Sequence, residues 1–243
     1  MVMPEVSGDL TFPLRAGLAA AAIALFSIAL PGAASAKPDC SAGAAPGVDW
    51  SECDKKVIIL SGSDLNGATL VGTDFTSTDL RDSNLLAANF EKATLVRASL
   101  AGSRADGARF DRIEAYRTNF SDMSAKGATF ASAEMQRSNF TDATLVNVDF
   151  TKAELGRADF TGADITGAKF SLSNLARADF SKAKFSTPLD FANAFLFLTR
   201  IEGVDLSAAT GLAQWQIDMS CGDGNTKLPT GLKPSSTWPC QFD

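Results

Sequence analysis

Residues 151–185 read TKAELGRADFTGADITGAKFSLSNLARADFSKAKF, which divides into seven consecutive five-residue units. Each unit ends on a large apolar residue and carries a small residue two positions earlier, as in Ala158 and Phe160. A helix would space its apolar residues three and four apart, and a flat strand would space them two apart. Here spacings of two and three alternate, so a short extended step is followed by a corner. The stretch therefore predicts short straight sides that wind into stacked coils, a solenoid.

The same period extends back to Leu60, with smaller residues at Ala105, Ala115, Ala125 and Met135. Charged residues reveal how many sides each coil has, because some recur every 20 residues. Two series do so: Arg97, Arg117, Arg137, Arg157 and Arg177, and Glu114, Glu134 and Glu154. Twenty residues are four units, so the coil is predicted to have four sides, with two opposite columns rich in Phe.

Stretches such as SGSDLNGATLVGTDF (61–75) and the run above resemble the A-(D/N)-L-x-x pattern of pentapeptide repeat proteins. The resemblance covers about residues 57–211. It implies an all-β fold, a right-handed quadrilateral β-helix. It also implies one possible activity, since some cytoplasmic members of this family mimic duplex DNA and bind DNA gyrase.

The first 36 residues have the layout of a secretory signal peptide. An apolar stretch from Ala16 to Leu30 follows Arg15, and Ala34-Ser35-Ala36 forms an A-x-A cleavage site. The stretch is shorter than the roughly 20 residues that a membrane span needs, although an uncleaved anchor remains the alternative. We therefore predict a periplasmic or secreted protein without stable membrane insertion after cleavage.

The remaining chain is predicted to comprise an N-terminal cap (37–56), the repeat β-helix (57–211) and a C-terminal cap (212–243). One register slip is expected at residues 186–190, because the next apolar centre falls at Phe191. A short helical turn is predicted at residues 212–216.

The cysteines are even in number and all follow the predicted cleavage site: Cys40, Cys53, Cys221 and Cys240. This pattern favours disulfides in an exported protein. Eight coils spaced about 4.8 Å apart form a rod of about 38 Å, and disulfide partners need Cα atoms within about 7 Å. We therefore expect Cys40 to pair with Cys53 and Cys221 to pair with Cys240.

The arginine series is the candidate partner-binding site: Arg97, Arg117, Arg137, Arg157 and Arg177. Such a stripe could contact a partner protein, an anionic glycan or a lipid. The structural interpretation is a ladder of salt bridges with neighbouring acids, namely Glu114, Glu134, Glu154, Asp159 and Asp179, and it is the one favoured from the sequence.

A second candidate surface consists of Phe195, Phe197 and Leu198, apolar residues at outward-facing positions. It could be a partner or homodimer patch, or the surface beneath the C-terminal cap, where Trp215 and Trp238 need a docking place. The second interpretation is favoured from the sequence.

The composition argues against catalysis and against nucleic-acid binding. The chain has no His, the side chain most often used for acid–base chemistry near neutral pH. Its formal net charge of −6 disfavours electrostatic binding to the nucleic-acid backbone. No nucleophile–base pair, cofactor motif or metal-site spacing stands out, so no cofactor is expected. The sequence predicts a non-enzymatic exported scaffold that binds an unidentified protein, with a gyrase-binding DNA mimic as the alternative.

Overall fold

The structure is a computed structural model that describes residues 37–241. The predicted signal peptide, residues 1–36, lies outside them. Parallel bridges join residues 20 apart in unbroken succession, from Asp49–Thr69 to Asp164–Lys184. Each coil side contributes one bridge residue rather than a long strand. The predicted four-sided coil and the all-β fold are therefore confirmed.

Each corner is a tight turn that returns the chain to the core. The amide of the fourth turn residue donates to the carbonyl of the first, as Ala68 N does to Leu65 O at 3.0 Å. In nearly all corners the third residue has a positive φ, 73° at Gly162 and 60° at Arg137; Thr187 and Ala208 are exceptions. Positive φ at this position alone is the signature of a type II turn. This type II turn forms the corner that the three-residue spacing in the sequence predicts.

The core consists of four columns of stacked side chains, which define the sides of the rod. Side 1 carries Phe120, Phe140, Phe160 and Phe180, and the opposite side 3 carries Phe110, Phe130, Phe150 and Phe170. Side 2 carries Leu145 and Ile165, and side 4 carries Met135 and Leu155. Ring centroids within the phenylalanine columns lie 4.6 to 5.3 Å apart. Rings from opposite sides meet edge to face at 5.4 to 6.4 Å, which is a favourable aromatic geometry.

The coil begins before residue 57, the predicted start. Trp50 already occupies an inward position and is 1% exposed, and Asp49 pairs with Thr69. The repeat pattern does not reveal this coil, because Trp50 and Lys55 fill core positions where the repeat otherwise has Leu or Phe. Lys55 Nζ donates to Cys40 O at 2.8 Å and lies 3.9 Å from the centre of the Trp50 ring. Burial lowers the pKa of Lys55 from its ordinary value, and Asp39 partly opposes that effect.

The register slip is confirmed at the C-terminal end of the repeat. The bridge spacing changes from 20 to 21 residues at Lys169–Asp190 and is 20 again at Asp190–Thr210, before it widens to 21 and 22 at Arg200–Cys221 and Asp205–Lys227. The chain then forms one α-helix, α1 (Gln214–Met219), slightly later than the helical turn predicted at 212–216. Beyond α1, Cys221 forms a parallel β-bridge with Arg200. The C-terminal segment is thus part of the last coil and not a separate tail.

Within residues 37–241, no helix has the length and apolar character needed to cross a membrane.

Candidate functional site

The five arginines stack at one corner of the rod, between side 4 and side 1, and are called the arginine column: Arg97, Arg117, Arg137, Arg157 and Arg177. Each is the third residue of its turn, with φ between 58° and 61°. All five side chains are exposed. Because each coil adds about 4.8 Å, the column extends for about 20 Å along the rod.

The backbone beneath the column is fixed by hydrogen bonds to the next coil. Arg117 N donates to Gln136 O at 3.1 Å, and Arg157 N donates to Ala176 O at 2.8 Å. The left-handed backbone belongs to the fold and not to arginine, since Asp142 and Lys182 adopt it at another corner. The side chains therefore project from a rigid, evenly spaced base.

The salt-bridge ladder considered from the sequence does not form. Glu114, Glu134 and Glu154 stack on one another in the middle of side 4, one bridge residue per coil. Glu154 accepts a hydrogen bond from Asn174 Nδ2 at 2.8 Å instead of pairing with an arginine. In the described part of the chain, no carboxylate lies within 4.0 Å of a guanidinium nitrogen of the column. Side-face and corner residues project from separate columns, which sequence spacing alone does not reveal.

One aromatic residue adjoins the arginine column. The guanidinium carbon of Arg117 lies 5.2 Å from the centre of the Tyr116 ring, within cation–π range. Tyr116 is 37% exposed. A partner at this corner would therefore meet one flat aromatic surface among the positive charges.

The opposite edge of side 1 carries the opposite charge. Its corner, between sides 1 and 2, presents the exposed carboxylates of Asp82, Asp122 and Asp142. The surface of the rod is thus polarised across side 1, with a basic edge and an acidic edge. Charge is not spread evenly around the coil.

The C-terminal cap covers only part of the apolar surface formed by Phe195, Phe197 and Leu198: Leu198 is half-buried, and its amide donates to Met219 O at 2.7 Å. Phe195 and Phe197 remain 42% and 43% exposed, and their rings lie 6.1 Å apart. Trp238 packs instead beside Gly222 and donates its Nε1–H to Ser220 O at 2.7 Å, while Trp215 stays 48% exposed. The cap therefore lies over Leu198 but leaves Phe195 and Phe197 exposed, because Trp238 packs against the last coil instead.

The cysteines form the two pairs that the rod geometry predicts. Cys40 bonds to Cys53, and Cys221 bonds to Cys240, each with a Cα–Cα distance of 5.4 Å. One disulfide therefore closes each end of the coil. Among the described residues, no cluster of three or more His, Cys, Asp or Glu side chains could hold a metal ion.

Comparisons with known families agree with the repeat geometry. A profile described as "Pentapeptide repeat region" matches residues 108–180, and one described as "Pentapeptide repeats (8 copies)" matches residues 58–95 and 83–122. Together the matches span residues 58–180, just over half of the 243-residue chain. A comparison with curated proteins finds no significant match.

Three solved structures illustrate the structural likeness. Full-length QnrB1, a plasmid-mediated fluoroquinolone resistance protein, is 21% identical, with 76% of this chain and 86% of that chain covered and a TM-score of 0.42. HetL, from the cyanobacterium Nostoc sp. strain PCC 7120, is 20% identical, with coverage of 76% and 84% and a TM-score of 0.28. A thylakoid lumen protein of Arabidopsis thaliana is 28% identical, with coverage of 43% and 66% and a TM-score of 0.24.

Proposed function

The chain belongs to the pentapeptide repeat proteins, and on that basis we propose that it is a non-enzymatic, exported scaffold. Its arginine column binds an acidic stretch of a partner protein in the periplasm or outside the cell. One observation carries the proposal: five exposed guanidinium groups are aligned on a rigid corner, and no carboxylate of residues 37–241 lies within 4.0 Å of them.

Electrostatics explains why such a column favours a partner. Two like charges about 4.8 Å apart repel by roughly 0.9 kcal/mol in bulk water. The neighbouring glutamates stand in their own column and do not pair with the arginines. Carboxylates from a partner would relieve this repulsion, and each guanidinium can bind one with two parallel hydrogen bonds. The rigid base reduces the entropy lost on binding.

Two features support export. The apolar stretch and A-x-A motif within residues 1–36 are typical of a signal peptide. Both disulfides fit an oxidising compartment, where such bonds persist. A reporter enzyme fused to residues 1–60 should therefore be exported, and a reporter retained in the cytoplasm would contradict this part of the proposal.

The gyrase-binding DNA mimic implied by the family resemblance is the competing function. A duplex mimic needs a largely negative surface, whereas here the arginine column forms a positive edge. The purified protein should leave gyrase supercoiling unchanged. Inhibition or protection of gyrase at stoichiometric concentration would favour the mimic instead.

The partner-binding site is tested by reversing charge in the column. Glu fits the turn, because Glu52 already occupies the same turn position with φ of 58°. The variant Arg117→Glu/Arg137→Glu should therefore fold normally but lose partners captured by the wild type. A matched control, Arg104→Glu/Lys126→Glu, makes the same charge change around side 2 and should retain them. If the column variant recovers the same partners as the wild type, the column does not bind them.

A further inference from the structure

The register slip leaves a cleft between two coils on side 2. It measures about 520 Å³ and lies between residues 182–188 and residues 203–208. This volume falls within the usual range for ligand-binding pockets, about 300–1,000 Å³. The cleft is separate from the arginine column, which lies at the corner between sides 4 and 1.

The cleft exists because the inter-coil ladder is interrupted on side 2, where Lys184 bridges only to the coil below. One coil earlier, Ile165 N donates to Lys184 O and Lys184 N donates to Ala163 O, both at 2.8 Å. The equivalent amides one coil later belong to Phe185 and Asp205. Among the described residues, neither of these amides has a hydrogen-bond acceptor, and Lys184 has no bridge partner in the following coil.

The ladder is intact on both neighbouring sides, so the opening is held in place. On side 1, Phe180 N donates to Arg200 O at 2.9 Å. On side 3, Thr210 N donates to Leu189 O at 2.8 Å. The inserted residue pushes the segment before Leu189 away from the next coil. The two edges of the gap therefore stand open with unpaired, strand-like backbone groups.

The cleft has an apolar floor and a basic lower rim. Phe185 and Ala183 are partly exposed, although earlier residues of their columns, such as Ile165, are fully buried. Lys182 and Lys184 stand exposed on the lower rim.

The upper rim contributes little negative charge. Its only carboxylate, that of Asp205, is bound by Lys227 Nζ at 2.8 Å. Lys182 and Lys184 therefore place two positive charges at the end of the acidic corner formed by Asp82, Asp122 and Asp142, beside the opening, and these charges favour an anionic ligand over a cationic one.

We propose that this cleft, called the slip cleft, binds a short extended peptide that alternates acidic and apolar residues. The peptide pairs its backbone with the free amides of Phe185 and Asp205, as in addition of a strand to an open sheet edge. Successive side chains of an extended peptide point to opposite faces. Its apolar residues contact Phe185 while its carboxylates face Lys182 and Lys184. One coil side accommodates three or four residues, about 10–13 Å of extended chain.

The test uses three capped tetrapeptides: one alternating valine and aspartate, its lysine counterpart, and a valine–aspartate peptide N-methylated on alternate amides. Binding to the purified protein is followed by the NMR shifts and hydrogen exchange of the Phe185 and Asp205 amides. The acidic peptide should shift both signals saturably and slow their exchange. The lysine peptide should bind at least about tenfold more weakly, a difference of about 1.4 kcal/mol. The N-methylated peptide should give no slowing of exchange.

Variants separate the slip cleft from general charge effects. Lys182→Glu/Lys184→Glu should exchange the preference, binding the lysine peptide and losing the acidic one. Lys126→Glu/Lys152→Glu carries the same charge change elsewhere and should behave like the wild type. Deleting Thr187 restores the 20-residue register and should abolish binding of all three peptides while protecting the Phe185 amide.

Two results would overturn the proposal. One is the absence of any shift at Phe185 and Asp205 with millimolar acidic peptide. The other is equal binding of the N-methylated peptide, which would show that backbone pairing plays no part. Neither result depends on the arginine column, so failure of the slip-cleft proposal would leave the proposed scaffold function untouched.

Discussion

Replacing Phe140 by Leu should measure how much ring stacking contributes to the rod. Phe140 is fully buried and lies 4.8 Å from Phe120 and 5.1 Å from Phe160 in its own column. It also meets Phe130 and Phe150 edge to face at 6.0 and 5.8 Å. Each aromatic pair is worth about 0.5–1.5 kcal/mol beyond the area it buries. Because the four contacts share one ring and are not additive, we expect a loss of about 2–3 kcal/mol.

Leu is a suitable probe because this column already contains it. Leu80 and Leu100 occupy the same position in earlier coils and are fully buried, so the backbone accepts the smaller side chain. The Phe140→Ala variant should lose more, about 4–5 kcal/mol, since it also leaves a cavity. The control Phe197→Leu should cost under about 0.5 kcal/mol, the usual size of surface substitutions, because Phe197 is 43% exposed.

The free energy of unfolding is measured by guanidinium chloride denaturation, followed by circular dichroism. The order of stability should be wild type and Phe197→Leu, then Phe140→Leu, then Phe140→Ala. If the free energies of unfolding of Phe140→Leu and Phe197→Leu agreed within about 0.5 kcal/mol, ring stacking would make no measurable contribution to stability. The account of the core as an aromatic ladder would then be refuted.

Three further predictions concern the ends of the rod. The pKa of Asp205 is lowered to about 2, and the hydrogen bond from Lys227 is the largest cause. The charged carboxylate therefore stabilises the fold above its unfolded pKa, and this stabilisation is lost as the pH falls from about 4 to 2. An NMR titration should show a midpoint near 2 that rises towards 3.8 in Lys227→Ala; an unchanged midpoint would contradict the contact. Val57 is β-branched, 76% exposed and has φ of 56°, so Val57→Asn should raise the free energy of unfolding by about 1 kcal/mol; a loss in denaturation experiments would count against backbone strain there. Cys221→Ser/Cys240→Ser removes a disulfide across 19 residues and should lower the free energy of unfolding by about 3 kcal/mol; equal melting temperatures for the variant and wild type would show that the C-terminal closure is held by packing alone.

The exposed surfaces show where reasoning from the sequence reached its limit. The positions of the arginine column were predictable, since residues 20 apart must stack once the coil has four sides. Their lack of ion-pair partners was not, because Glu114 and Arg117 are close in sequence but project from a side and from a corner. The exposure of Phe195 and Phe197 was missed because it depends on where Trp238 packs.

Sequence periodicity is enough to predict the five-residue step, the four-sided coil, the inward columns and the slip after Phe185. These follow from local periodicity, because a repeated unit must place equivalent side chains at equivalent angles. The folded structure is needed to see where the first coil begins, how the C-terminal segment completes the last coil, and that the slip opens a cleft on side 2. Those features depend on contacts between residues far apart in the chain, which no periodicity encodes. A single inserted residue shows the difference: its position can be read from the sequence, but the amides of Phe185 and Asp205 that it leaves unpaired appear only when the coils are stacked.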